Sequence, residues 1–336
     1  MAKLKTARPV KAAVMLFLAT SVWGGSFLAM KALGLKQAQL VPQAGTWFFT
    51  SVSLLMRFSV SALLIGLLAG RRLGQMTRLE IWQGVGLGSF GGIGILLQTD
   101  GVQHTAASTS AFLTQCYCIF IPVTLAIHRR KWPGAALSLC GAMVLGGMAI
   151  LSNIDFTQLR MGRGEWESIL GSLLFTGQIL WLERPLYHGN RTEPVTFVMF
   201  VVIALLTLPV LLMTGTTTHE WIEVWATWPA IWLIGFLTLC CTLATYTLMN
   251  YWQPHLPATH AGLIYCCEPL FTSIFALWIP NLLSTAFQVD YPNEAINTRL
   301  LIGGGLITAA NLIALRSIPM PPAPLPAVEP IEPIKS

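Results

Sequence analysis

Apolar runs recur along almost the whole of this chain, each close to the length that crosses a bilayer as a helix. Ten are read: 12–33, 47–70, 81–99, 106–127, 132–151, 166–185, 194–213, 228–250, 258–280 and 300–316. Of 336 residues, 54% are hydrophobic and only 10% charged, whereas a soluble domain carries charge on about 25% of its residues. Too few polar side chains are present to clothe a water-facing surface. Helices satisfy their own backbone hydrogen bonds in lipid, so the expected class is an all-α membrane protein with ten transmembrane helices.

The net charge of +6 does not point to nucleic acid, because its distribution follows the expected topology. With a cytoplasmic N-terminus and ten alternating helices, fourteen of the twenty lysines and arginines fall inside. Among them are Lys3, Arg71, Arg72, Arg78, Arg184 and Arg191. Five fall outside (Lys31, Lys36, Arg160, Arg163 and Arg299), and Arg57 lies within a helix. This is the positive-inside bias, and it places both termini in the cytoplasm. The basic start leads into a run too long for a cleaved signal core, so the first helix is expected to stay. All seven cysteines (116, 118, 140, 240, 241, 266 and 267) sit in apolar runs, where a thiol behaves as a small hydrophobe.

Five helices make a half, and five is odd, so the second half enters the membrane with opposite polarity. Two weakly matching segments support that division. Ala111-Phe112-Leu113-Thr114-Gln115-Cys116 aligns with Ala261-Gly262-Leu263-Ile264-Tyr265-Cys266, each in the fourth run of its half. Gly134-Ala135-Ala136-Leu137 and Gly303-Gly304-Gly305-Leu306 take equivalent places in the fifth and tenth runs. The chain thus divides into a cytoplasmic segment 1–11, a five-helix repeat 12–151, an inverted five-helix repeat 166–316 and a proline-rich tail 317–336. Inverted repeats of this kind mark secondary transporters, whose site forms where the halves meet. The connection 281–299, with Asp290 and Glu294, is longer than its counterpart and reads as a tolerated insertion. The tail reads as disordered polyproline-like chain.

Several strings that resemble chemical motifs are better read as packing. Gly86-Leu87-Gly88-Ser89-Phe90-Gly91 matches GxGxxG, but it lies inside an apolar run rather than between a strand and a helix. Small residues there let membrane helices approach closely. The Asn190-Arg191-Thr192 sequon falls on the cytoplasmic side. Cys116, Cys118, Cys266 and Cys267 could face one another if the halves pair, yet core packing is the stronger reading and no metal or cofactor is expected.

Arg57 and Glu268 are a stronger signal. Each lies near the centre of its run, where a charge costs at least about 2.5 kcal/mol and normally faces a partner or a watery cavity. A structural ion pair between them is the alternative. Pro269 is expected to kink the ninth helix beside Glu268. Trp23, Gln98, Gln115, Tyr117, Tyr246, Asn250 and Tyr265 supply aromatic and amide groups. From these the expected pathway is Arg57, Glu268, Gln115, Tyr265, Trp23 and Tyr117, with no catalytic residue.

Trp23-Gly24-Gly25-Ser26-Phe27 resembles the WG-x-x-F motif of the drug/metabolite transporter superfamily, and Arg57-Phe58 resembles its RF motif. The Ala-x-Leu starts of the fourth and ninth runs, ending in Pro122 and Glu268-Pro269, resemble the closing part of its EamA-type repeat. The likeness spans residues 12 to about 316, although the second half lacks a WG motif near 171–177. The resemblance implies a bacterial inner-membrane carrier working by alternating access, commonly an exporter of amino acids or other small metabolites. Its partners would be a small-molecule solute, the bilayer, a proton as candidate coupling ion and a second copy as candidate neighbour. Two other classes compete: a membrane enzyme acting on lipid-linked substrates, and a non-transporting receptor or scaffold. The enzyme would need clustered groups, and Asp100 with His104 and His219-Glu220 are scattered. No G-x-x-x-x-G-K-[ST] loop occurs, so primary pumping would need another subunit.

Overall fold

The structure is a computed structural model that describes residues 2–128, 130, 135–151, 161–256, 258–296 and 298–317. The proline-rich tail, most of the link between the halves and Gly134 lie outside the described residues. Every regular element among the described residues is helical. The first half comprises α1 (Ala2–Leu40), α2 (Thr46–Ala69), α3 (Arg78–His104), α4 (Ala107–Thr114), α5 (Tyr117–His128) and α6 (Ala135–Leu151). The second begins with α7 (Arg163–Leu182), α8 (Thr192–Met213), a short α9 (Thr218–Glu223), α10 (Trp228–Thr238) and α11 (Thr245–Trp252). It closes with α12 (Ala258–Tyr265), α13 (Glu268–Ala276), α14 (Ile279–Phe287) and α15 (Thr298–Ser317).

Among the described residues, five stretches are long and apolar enough to cross a membrane: Val10–Leu40, Thr46–Gln75, Ala107–His128, Thr192–Met213 and Trp228–His255. A sixth is added if α13 and α14, bent by 57°, count as one. The third and sixth expected runs are diluted by polar residues. α3 carries Gln83, Gln98, Asp100 and Gln103, and α7 carries Glu165, Glu167 and Gln178. These two helices pack along each other, burying Gln83, Gln98, Asp100, Glu167 and Gln178. Their polarity therefore faces protein while apolar side chains face out. Leu63, Leu67 and Leu68 of α2 and Leu205, Leu212 and Met213 of α8 are exposed, as lipid-facing positions should be.

Close backbone approach is built into α3. A Cβ added at Gly88 would stand 2.6 Å from Val202 Cβ and 2.8 Å from the Met199 carbonyl, so the GxGxxG string serves helix packing. Buried hydroxyls meanwhile satisfy themselves locally: Thr20, Thr114, Thr176, Thr238 and Thr245 each donate to the carbonyl four residues earlier.

The fourth and ninth runs are both interrupted, at Gln115–Cys116 and at Cys266–Cys267. The second break precedes Pro269, which sits in the first turn of α13, where its missing N–H is not needed. The proline therefore starts a helix instead of kinking one. Helices of the two halves pair in a reciprocal pattern: α2 on α8, α6 on α15, α4 on α13 and α5 on α12. Likewise α3 lies on α7 while α10 and α11 lie on α1.

The two ends of the bundle differ. At the basic end, Arg72 pairs with Glu193 at 2.8 Å. There Thr77 and Glu80 form a capping box, and Arg191 clasps Glu80 through Nε (2.7 Å) and Nη2 (2.9 Å). Glu80 lies ahead of the apolar run, and the Arg191 hydrogen bonds hold its carboxyl down to about 2. At the opposite end, Asp100 is fully buried against Arg163 and His104, and Arg163 also bonds Glu167 at 2.7 Å. The long connection is docked here. Val289 and Tyr291 are buried, and Glu294 receives hydrogen bonds from Ser108 at the start of α4.

Candidate functional site

Arg57 and Glu268 line one cavity of about 60 Å³ at the middle of the bundle. They do not form an ion pair. Arg57, 2% exposed, donates from Nε and Nη2 to Thr242 Oγ1 at 3.1 and 3.0 Å, while Nη1 has no hydrogen-bond partner in the protein. Glu268, 7% exposed, accepts from Gln115 Nε2 at 3.2 Å. Two opposite charges thus share a cavity with each held by a neutral group.

Local backbone irregularity positions both. Between α10 and α11 the helix widens into a π turn at Leu239–Ala244, a feature often found at functional sites. Within it Thr242 Oγ1 bonds the Leu237 carbonyl at 2.8 Å and so is fixed as the acceptor for Arg57. The Cys241 carbonyl of the same turn accepts Trp23 Nε1 at 3.1 Å and Thr245 Oγ1 at 2.6 Å. Gly24, next to Trp23, lets α1 reach the start of α13. A Cβ there would lie 2.6 Å from Phe271 Cβ and 3.1 Å from the Glu268 carbonyl. Thr272 Oγ1 closes that contact on the Gly24 carbonyl at 3.0 Å. The WG pair therefore bridges the two charged residues: tryptophan braces the Arg57 side, glycine admits the Glu268 side.

Aromatic rings form much of the remaining wall. Trp23 meets Tyr246 at 5.5 Å and Tyr265 at 5.7 Å, both edge to face. Tyr117 also lines the cavity. Gln115 is not among its lining residues but bonds Glu268, which is, and Asn250 faces a different cavity. Five of the six expected pathway residues thus line one space, with the sixth bonded to it.

Sequence reasoning missed Gln178, Thr114 and Ser26, which also line the cavity. Single polar residues in apolar helices look alike in sequence whichever way they point. It also read Asp100 and His104 as scattered, whereas α7 brings Arg163 and Glu167 to them. Cys118 and Cys266 do come together, both bonding the Gly262 carbonyl, at 3.3 and 3.0 Å. Among the described residues no group of three or more His, Cys, Asp or Glu is placed to hold a metal.

This arrangement defines an all-α membrane protein with a small central cavity walled by aromatic and ionisable side chains. No protein-family profile and no curated protein matches the sequence. A crystal structure whose description names no function aligns with 91% of this chain and 96% of its own, with a TM-score of 0.60 and 15% identity. Similarity at that identity speaks to the fold alone.

Proposed function

We propose that this chain is a secondary transporter of the drug/metabolite transporter kind, moving small metabolites such as amino acids across a bacterial inner membrane by alternating access. The single observation carrying this reading is the central cavity with Arg57 and Glu268 on its wall and no ion pair between them. A structural pair would neutralise itself; these two charges are left to act on something between them. Arg57 Nη1 offers a donor to a carboxylate, and Glu268 an acceptor to an amine or a coupling proton.

The cavity is far smaller than the roughly 300–1,000 Å³ of typical ligand pockets. In this reading it belongs to a closed state that must open to load. The full reading has ten spans in two inverted five-helix repeats. It is supported by the paired breaks at Gln115–Cys116 and Cys266–Cys267 and by the contact pattern, in which exchanging the halves turns α3 on α7 into α10 and α11 on α1.

The test is exchange of a labelled amino-acid and metabolite panel in liposomes, wild type beside Glu268→Gln. Exchange present in wild type and lost in the variant is expected. Transport with unaltered rate and pH dependence in Glu268→Gln would remove Glu268 from the mechanism.

A further inference from the structure

Besides the central cavity, a larger one of about 270 Å³ opens at the basic end between α7, α8 and α11, lined by Leu182, Val195, Asn250 and Pro254 among others. The central cavity reaches Ile179 on α7 and Met249 on α11, and the larger one begins at Leu182 and Asn250 on the same helices. Three residues on α7, about 4.5 Å of helix, and one residue on α11 separate the two linings, so the spaces lie within one turn of each other. Gln253, 1% exposed, fills that layer. Its Nε2 donates to the Ile179 carbonyl at 3.2 Å, and its Oε1 accepts from Tyr265 Oη at 2.9 Å. Tyr265 is itself a wall of the central cavity.

The other end is sealed differently. Beyond Arg57 lies a space of only about 10 Å³, beside Gln37, Thr50 and Ser53, which is room for about one water. Gln37 and Ser53 bond each other at 3.0 Å, and Thr50 meets Asp100 at 3.5 Å. Behind them stands the charged set of Asp100, Arg163, His104 and Glu167. One end is closed by a single neutral layer beside a roomy vestibule, the other by several layers that include the ion pairs around buried Asp100.

Resting on the carrier reading above, we propose that the basic-end cavity is the vestibule through which solute reaches the central cavity, and that the Tyr265–Gln253 hydrogen bond is its door. Opening it separates the end of α12 and the break that follows it from α7 and α11 and exposes Glu268 and Arg57 to that side. The ion-paired end stays shut meanwhile, as alternating access requires. Asn250 lines the vestibule, held to α8 through Thr196 Oγ1 at 3.0 Å, and belongs to its frame.

Ile95 lines the central cavity and makes a reporter as Ile95→Cys. Sealed vesicles of each orientation would be treated with a membrane-impermeant trimethylammonium methanethiosulfonate, and modification at position 95 read by peptide mass spectrometry. Removing a buried hydrogen bond shifts an opening equilibrium by about tenfold or more. Both Gln253→Ala and Tyr265→Phe should therefore raise the labelling rate from the basic face by roughly that factor, and not from the other. Tyr265→Phe deletes one hydroxyl and guards against misfolding of the alanine variant. Unchanged labelling in both monodisperse variants, or acceleration from the opposite face, would overturn the door. Solute flux in the same vesicles separates the two ideas. Flux with unaltered labelling removes the door and leaves the carrier, whereas labelling as expected without flux keeps the door and removes the carrier.

Discussion

Arg57 illustrates how a buried cation is kept both stable and usable. Its fork spends two donors on one threonine oxygen and leaves the third nitrogen without a partner in the protein. Thr242→Val keeps the side-chain volume but withdraws that acceptor, leaving more of the guanidinium unpartnered at a cost of about 1–3 kcal/mol. The expected outcome is a lower thermal midpoint in detergent together with weaker exchange. Arg57→Lys should lose exchange as well, because a lysine ammonium cannot hold Thr242 and face the cavity with a planar fork. A lysine variant transporting at the wild-type rate would show that charge alone suffices. Both charged residues were legible in sequence because mid-run charges are costly. The bonds they make were not, since Thr242 accepts from Arg57 and Gln115 donates to Glu268 only through a π turn and a helix break.

At the scale of elements, close approach of α3 to α8 depends on glycine. Gly88→Ala places a methyl within 2.6 Å of Val202 Cβ and 2.8 Å of a backbone oxygen that cannot rotate away. Overpacking of this sort costs about 1–3 kcal/mol and outweighs the helix-propensity gain of about 1 kcal/mol. Gly74, with nothing within 4 Å of an added Cβ, is the control. Thermal scans should show Gly88→Ala destabilised and Gly74→Ala little changed. A Gly88→Ala protein melting with wild type would mean that the α3–α8 contact yields freely. The docked connection belongs to this scale too. Residues 281–299 read as an insertion because nothing in their composition shows that Glu294 reaches Ser108, 186 positions away.

For the whole molecule, the Glu80–Arg191 clasp ties the start of α3 to the start of α8 at the basic end. Glu80 titrates at about 2 when folded, below the usual carboxylate value of about 4.3. A depressed folded value means that the clasp stabilises fully above the unfolded value and is lost as pH falls through the folded one. The wild-type thermal midpoint should therefore drop as pH is lowered from about 5 toward about 2, more steeply than in Glu80→Gln. Parallel slopes in the two proteins would show that other groups govern the acid response.

The sequence alone determined the class, because a chain with 54% hydrophobic and 10% charged residues has no way to face water and must satisfy its backbone as helices in lipid. It also singled out Arg57 and Glu268, since a charge placed in an apolar run carries its energetic cost wherever the fold puts it. Tertiary structure decided the rest: which polar residues converge, which end is thin, and that the two charges share a cavity without touching. Those outcomes depend on the rotation and breaks of packed helices, which bring together side chains more than a hundred residues apart, and local sequence fixes neither.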